Sequence, residues 1–202
     1  MLTILDYGAG NQTSVLRALR HLGIDAAITD SPDRLSASEG IIFPGVGSAG
    51  QAMDVLTSKG LDSVLARAVR EKQPVLGICL GCQILLDRSE EHDTKTLGLV
   101  HGETLAFPAG LTQEDGSPAP VPHMGWNSLH LTEKGKKHPL FKYSKEGDYV
   151  YFVHSFYGKD CEESLLATSE YGIPVTASAA NGNVMGCQFH PEFRSRPMAP
   201  HP

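Results

Sequence analysis

Apolar residues follow two rhythms along this chain, and the rhythm changes near the middle. In the first half, short and nearly continuous apolar runs alternate with stretches of helical spacing. Leu2 to Tyr7 is such a run, ended by Gly8-Ala-Gly-Asn11. Thr13 to Leu22 then places Val15, Leu16, Leu19 and Leu22 at helical intervals, and Gly23 stops it. Asp25 to Thr29 predicts a second strand, and Gly40 to Phe43 a third, ending in Pro44-Gly-Val-Gly47. Leu61 to Val69 reads as a helix, Pro74 to Ile78 as a fourth strand, and Cys79 to Leu86 as a helix again. Apolar strands alternating with helices predict a parallel sheet covered on both faces.

The second half predicts strands at Leu99 to Phe107, Trp126 to Leu131, Tyr149 to Tyr157, Leu165 to Ser169, Val175 to Ala180 and Val184 to Phe189. Few helical stretches separate them, so antiparallel pairing is expected there. Pro108 to Pro122 is rich in Pro, Gly and polar residues and reads as an exposed loop. The fold class is therefore α/β: a mixed, mainly parallel central sheet flanked by helices, with an antiparallel β-rich second half. Residues 1–202 fit one domain. The Pro-rich end, 193–202, predicts an irregular tail.

Composition changes this picture little. The chain is 41% hydrophobic and 20% charged, with a formal net charge of −6 and no long run of Lys or Arg. Nucleic acid and anionic membrane are not expected as partners. The opening Met-Leu-Thr-Ile-Leu-Asp6 predicts no secretory signal, and no apolar run reaches the ~20 residues that span a bilayer. Cys79, Cys82, Cys161 and Cys187 do not form a dense disulfide framework, so a reducing cytoplasm is the expected compartment.

Candidate chemistry concentrates in two segments. Gly77-Ile-Cys-Leu-Gly81 lies between a predicted strand and a predicted helix, which is the cysteine form of a nucleophile elbow. Flanking glycines let a sharp turn pass close to neighbouring backbone, so that the sulfur of Cys79 stands above the edge of the sheet. A helix N-terminus favours anions, and thiolate is the attacking species. A buried, inert cysteine at a strand end also fits. Cys79-Leu-Gly-Cys82 further matches a redox dithiol or half a zinc site, although Cys161 and Cys187 supply no second pair.

The second segment, Gln188-Phe-His-Pro-Glu192, puts His190 and Glu192 two residues apart at the end of a predicted strand. Residues i and i+2 of a strand share a face. A cysteine, a histidine to move its proton and a carboxylate to hold the imidazole tautomer follow the logic of a triad. His154, in an apolar strand, is a rival base, and His123 precedes Met124-Gly-Trp126; both read first as structural histidines.

With these residues quoted, the chain resembles the class I, triad-type glutamine amidotransferases. It is most similar to the glutaminase subunits of imidazole glycerol phosphate synthase, over about Leu2 to Glu192. Further markers are Asp6-Tyr-Gly-Ala-Gly-Asn11, Phe43-Pro-Gly-Val-Gly47, Ser89-Glu-Glu91, Pro122-His-Met-Gly-Trp-Asn127 and Tyr151-Phe-Val-His-Ser-Phe156. The resemblance implies that Cys79 attacks the carboxamide of glutamine, that His190 moves the protons and that Glu192 orients it. It implies an oxyanion hole from the amides of Val46 and Leu80, and glutamine held by Gly45, Gln83, Glu91, His154, Ser155 and Phe156. No cofactor and no metal are implied.

Ammonia would pass to a (β/α)8-barrel cyclase partner in histidine biosynthesis, met at or near Asn11, Met124, Trp126, Asn127 and Tyr151. Trp and Tyr exposed on a surface suit an interface; core packing is the competing role for Tyr151. One departure stands out. These subunits usually carry a lysine after the glutamate, where this chain has Phe193. His-Pro-Glu-Phe is more similar to the glutaminase domain of CTP synthase, which makes another acceptor the alternative expectation.

Overall fold

The computed structural model describes residues 1–8, 10–113 and 115–193. The expected irregular tail lies, beyond Phe193, outside the described residues. The first half runs β1 (Leu2–Leu5), α1 (Gln12–His21), β2 (Ala26–Thr29), α2 (Pro32–Ser36), β3 (Ile41–Gly45), α3 (Ala49–Ser58), α4 (Leu61–Arg70), β4 (Val75–Cys79) and α5 (Leu80–Leu85). The second half runs β5 (Arg88–Ser89), β6 (Thr94–Lys95), β7 (Glu103–Ala106), β8 (His123–Ser128), β9 (His130–Leu131), α6 (Glu133–Lys137), β10 (Tyr149–His154), β11 (Phe156–Lys159), β12 (Leu165–Glu170), β13 (Pro174–Asn181) and β14 (Val184–Cys187).

The main sheet has the order β2-β1-β3-β4-β14-β13-β11-β7-β5-β6, with β12 pairing β13 and β9. Its first five strands are parallel, and the sheet turns antiparallel from β14 to β13 onward. A lone parallel pair, β5 with β7, recurs near the far edge. A second sheet is the antiparallel ribbon of β8 and β10. The mixed α/β class expected from the sequence is the class observed.

Strand alternation sends neighbouring residues to opposite faces. Leu5, Ile41, Phe43 and Val75 join one core with Leu35, Leu56, Leu61, Leu65, Ile84 and Leu85 of α2 to α5. Ile4, Ile42 and Ile78 join the other core, with Val15 and Leu19 of α1 and Phe152 of the β8–β10 ribbon. Helical spacing explains α4: Leu61, Val64, Leu65 and Ala68 are buried on one side. Each fully buried leucine contributes about 1.5–3 kcal/mol relative to leaving it in water.

Several elements differ from the sequence expectation, each for a local reason. The expected strand Leu99 to Phe107 is a strand only at Glu103–Ala106. Before it, the amides of Leu99 and Val100 bond the Leu85 carbonyl at 2.9 and 3.0 Å, so the end of α5 satisfies them and a ladder does not. The apolar run Tyr149 to Tyr157 breaks at Ser155, leaving β10 in the ribbon and β11 in the main sheet. Trp126 to Leu131 splits in the same way at Leu129. Helices α2 and α3 were not expected. Ser31 and Ser48 cap them through their side-chain oxygens, and the small buried Ala49 and Ala52 give α3 a weak apolar signal.

The tightest approach lies beneath α5. A Cβ at Gly81 would overlap the Phe43 carbonyl oxygen, and one at Gly77 would meet the Gly81 carbonyl oxygen at 2.7 Å. Backbone cannot yield there as a flexible side chain can. Gly81→Ala is expected to destabilise the fold by about 3 kcal/mol, the upper end for overpacking, read from urea denaturation. A change below about 0.5 kcal/mol, the usual range for an unconstrained surface position, would contradict this packing.

Candidate active site

Three adjacent parallel strands end at one edge of the sheet. Gly45 at the end of β3 pairs with Cys79 at the end of β4, and Cys187 at the end of β14 pairs with Ile78. The Gly45–Gly47 turn, the elbow at Cys79 and the segment reaching His190 therefore leave the sheet side by side. The loop after β1 brings Asn11 to the same edge. Carboxyl ends of strands in an open α/β sheet are where ligands bind. Here they surround a cavity of about 650 Å3 whose lining includes Val46, Cys79, Leu80, Gln83, Glu91 and His190.

Cys79 has φ +55° and ψ −111°, a conformation that side chains rarely adopt. Such strain costs on the order of 1–3 kcal/mol and persists only where surrounding structure enforces it. Here the enforcement is β4 on one side and the glycine-lined contact of α5 with β3 on the other. Cys79 is 7% exposed. Its Sγ lies 3.8 Å from the Val153 carbonyl of β10 and 3.8 Å from Nε2 of Gln188.

His190 Nδ1 lies 2.8 Å from Glu192 Oε1, which also accepts from Asn11 Nδ2 at 2.8 Å. The main-chain amide of His190 is tied to the Tyr151 carbonyl at 2.9 Å, and the Phe193 ring stacks on the imidazole at 5.3 Å. Burial disfavours the imidazolium, but the nearby Cys79 sulfur and the Glu192 carboxylate outweigh it and raise the His190 pKa to about 9. Nε2, the nitrogen left after Glu192 takes Nδ1, makes no hydrogen bond within bonding geometry.

A buried polar layer lies beneath the cavity floor. Gln83 Nε2 donates to the Phe156 carbonyl and to Gln188 Oε1, both at 2.9 Å. With both N–H groups used, only Oε1 of Gln83 remains for a ligand. His154 Nδ1 lies 2.7 Å from the same Phe156 carbonyl, which can only accept, so Nδ1 carries the proton. His154 Nε2 then accepts from His123 Nδ1 at 3.1 Å. Burial lowers both pKa values, His154 to about 3 and His123 to about 4. Both are neutral at physiological pH.

The other expected site residues divide. Val46, Leu80, Glu91, His154, Ser155 and Phe156 line the cavity, whereas Gly45 is buried beneath it against Tyr7 and Leu80. Glu91 Oε2 accepts from the Ala49 amide at 2.7 Å, two residues past the Gly45–Gly47 turn. Of the expected interface residues, Met124 and Trp126 are 60% and 37% exposed. Tyr151 packs edge-on between Trp126 and Phe193, Asn127 donates to the Glu170 carbonyl, and Asn11 turns inward to Glu192. The sequence pattern did not single out Gln188 or the Val153 carbonyl as neighbours of Cys79. The alternation Gln188, His190, Glu192 was the available signal, since it puts Gln188 in step with the other two. Cys82 is buried against Gly186, and burial pushes its thiol far up.

The family model for class-I glutamine amidotransferases matches residues 3–202. "Imidazole glycerol phosphate synthase subunit HisH" of Nitratidesulfovibrio vulgaris is 50% identical over 197 residues, covering 98% of this chain and 91% of the relative. The proteins of that name from Desulfovibrio desulfuricans and Methylococcus capsulatus are 51% and 44% identical, covering 98% and 95% of this chain and 89% and 88% of theirs. Among solved structures, PurLQS from Thermotoga maritima aligns with a TM-score of 0.70 at 21% identity, covering 95% of this chain and 87% of that one. The glutaminase domain of Trypanosoma brucei CTPS with bound acivicin aligns at 0.67 and 19%, covering 98% and 88%. These two likenesses establish the fold alone.

The shifted histidines set a pH profile for stability. His190, near 9 when folded against an ordinary 6.5, stabilises fully below about pH 6.5 and loses that contribution as pH rises through about 9. His123 and His154, near 4 and 3, refuse protons that the unfolded chain takes up, so stability falls as pH drops from about 6.5 toward 3. Melting temperature against pH is expected to give a shallower alkaline limb in Glu192→Gln and a shallower acid limb in His123→Phe. Limbs identical to those of the unsubstituted chain would contradict these assignments.

Proposed function

Because the chain belongs to the class I glutamine amidotransferase family, we propose that it hydrolyses glutamine and delivers the ammonia for imidazole glycerol phosphate synthesis in histidine biosynthesis. The observation that carries the residue roles is the strained Cys79 lining one cavity with His190, whose imidazole Glu192 holds. The likeness to subunits of that synthase supports the acceptor.

Glutamine enters the cavity with its carboxamide over Cys79. Sγ attacks the side-chain carbonyl carbon as the thiolate, its proton already resting on His190 Nε2, the imidazole nitrogen that Glu192 leaves open. Charge develops on the carbonyl oxygen, which the amides of Val46 and Leu80 stabilise. The C–N bond then breaks as His190 returns its proton to the departing nitrogen, giving ammonia and a thioester. A histidine held near 9 retains the proton until the leaving group needs it. Water, deprotonated by His190, attacks the thioester carbon, and the C–S bond breaks to release glutamate. Glu91 takes the substrate ammonium through the oxygen not spent on Ala49, and Gln83 accepts through Oε1.

The partner is a (β/α)8-barrel cyclase subunit docking over Met124, Trp126 and Tyr151. These lie on the β8–β10 ribbon, whose Val153 carbonyl and Tyr151 carbonyl touch Cys79 and His190. A ribbon that contacts the Cys79 sulfur and holds the His190 main chain is suited to coupling partner docking with turnover. The residues 1–202 act as one amidotransferase domain in the cytoplasm; no helix among the described residues is long and apolar enough to cross a membrane.

Glutamate release from glutamine is the direct test. Cys79→Ser is expected to lower it at least about a thousandfold, as loss of a triad nucleophile does. The isolated chain is expected to turn over slowly and to gain roughly 5–150-fold with a saturating barrel subunit and acceptor, the usual range of coupling between sites. Full turnover by Cys79→Ser would refute the nucleophile, and equal rates with and without the barrel would refute the coupling.

A further inference from the structure

Gln188 has no part in the chemistry described above, yet its side chain reaches the reacting sulfur. It is 1% exposed, and its Nε2 lies 3.8 Å from Cys79 Sγ. A glutamine amide can be turned either way, but here its neighbours fix it. Gln83 Nε2 donates to the Phe156 carbonyl, which can only accept, so the nitrogen of Gln83 must face that side. The same nitrogen lies 2.9 Å from Gln188 Oε1, and turning Gln188 over would set two donors against each other. The Gln188 nitrogen is therefore held toward the sulfur. Its main chain is held as well, its amide donating to the Ala177 carbonyl at 2.9 Å just past the end of β14.

The second polar group at the sulfur has the opposite character. The Val153 carbonyl, also 3.8 Å away, can only accept, so it suits a protonated thiol and repels a thiolate. A thiolate at this position needs a donor, and Gln188 supplies one within a charge-assisted hydrogen bond. We propose that Gln188 donates its Nε2–H to the sulfur of Cys79, favouring the thiolate and holding it in line for attack, and that Gln83 and the Phe156 carbonyl keep Gln188 turned that way. This rests on Cys79 being the nucleophile. It gives Gln83 a second task beyond the substrate, since it orients the amide that touches the sulfur.

The test is alkylation of Cys79 by iodoacetamide as a function of pH in the full chain, followed by mass spectrometry of the Cys79 peptide. Gln188→Met keeps the volume and removes the donor. It is expected to move the midpoint of the profile up by about one pH unit and to slow alkylation at pH 7 about tenfold. Glutaminase kcat falls by a similar factor while KM stays within about twofold, since the lost contact is to the nucleophile and not to the substrate. Gln188→Glu still accepts from Gln83 but sets an acceptor against the sulfur, and its midpoint is expected to move further. A purely structural role would lower the melting temperature and leave the profile of the folded protein in place. An unshifted midpoint in whichever variant folds, or loss of folding in both, overturns the proposal and assigns Gln188 to packing. Cys79→Ser separates the two readings. Full activity in that variant refutes the nucleophile, whereas an inactive Cys79→Ser beside an unshifted Gln188→Met refutes only the role of Gln188.

Discussion

At residue 81 the helix that follows β4 lies so close to β3 that a methyl group would overlap the Phe43 carbonyl oxygen. That backbone contact lets the chain turn sharply at Cys79, with φ held at +55°. Released from it, the chain would relax toward an ordinary strand-to-helix connection, and the sulfur would drop from the sheet edge. The same contact joins the two turns that border the cavity, because β3 ends in the Gly45–Gly47 turn beside the elbow. Gly45 in turn is pressed against Tyr7 and Leu80. Close packing of glycine on backbone thus fixes both the candidate nucleophile and the candidate oxyanion donors.

Around this rigid edge the protein buries polar groups, and most of them are paired in a fixed direction. The Phe156 carbonyl accepts from Gln83 and His154, Gln83 orients Gln188, and His154 Nε2 accepts a hydrogen bond from His123 Nδ1. A layer satisfied in this way is stiff, because any one flip leaves a buried donor or acceptor without a partner. The exceptions are informative. Buried polar atoms without partners among the described residues are the Tyr7 hydroxyl, Arg67 Nη2, His123 Nε2, His190 Nε2 and Glu192 Oε2. His190 lines the cavity and Glu192 holds its imidazole, and unsatisfied groups at such a place often mark chemistry that a ligand completes.

Phe193 adds an aromatic face to the site. Its ring stacks on the His190 imidazole. Tyr151 and Trp126 continue the contact outward, with centroids 5.4 and 5.5 Å apart at successive steps. One face of the imidazole is thereby covered by an aromatic ring. The motif His-Pro-Glu-Phe suggested a different acceptor, and identities of 44–51% along nearly the whole chain favour the synthase instead. A single position after Glu192 is weak evidence against agreement along nearly the whole chain.

The elements that were legible in the sequence are those whose signal is local. Apolar runs gave β1 to β4, helical spacing gave α1, α4 and α5, and two flanking glycines marked the turn at Cys79. Those marks depend only on neighbouring residues, since alternation, helical period and positive φ are properties of a few successive dihedrals. The illegible parts depend on partners distant along the chain. Nothing local says that Tyr149 to Tyr157 must divide at Ser155, because the division is set by β8 claiming one part and β7 and β13 the other. Nor could spacing reveal that Asn11 would serve Glu192 across 181 residues, or that Gln188 would meet Cys79 across 109. The chain alone determined which residues could do the chemistry. Only the parallel register of β3, β4 and β14 decided that they meet, because strand order is chosen by packing the whole sheet and no segment carries it alone.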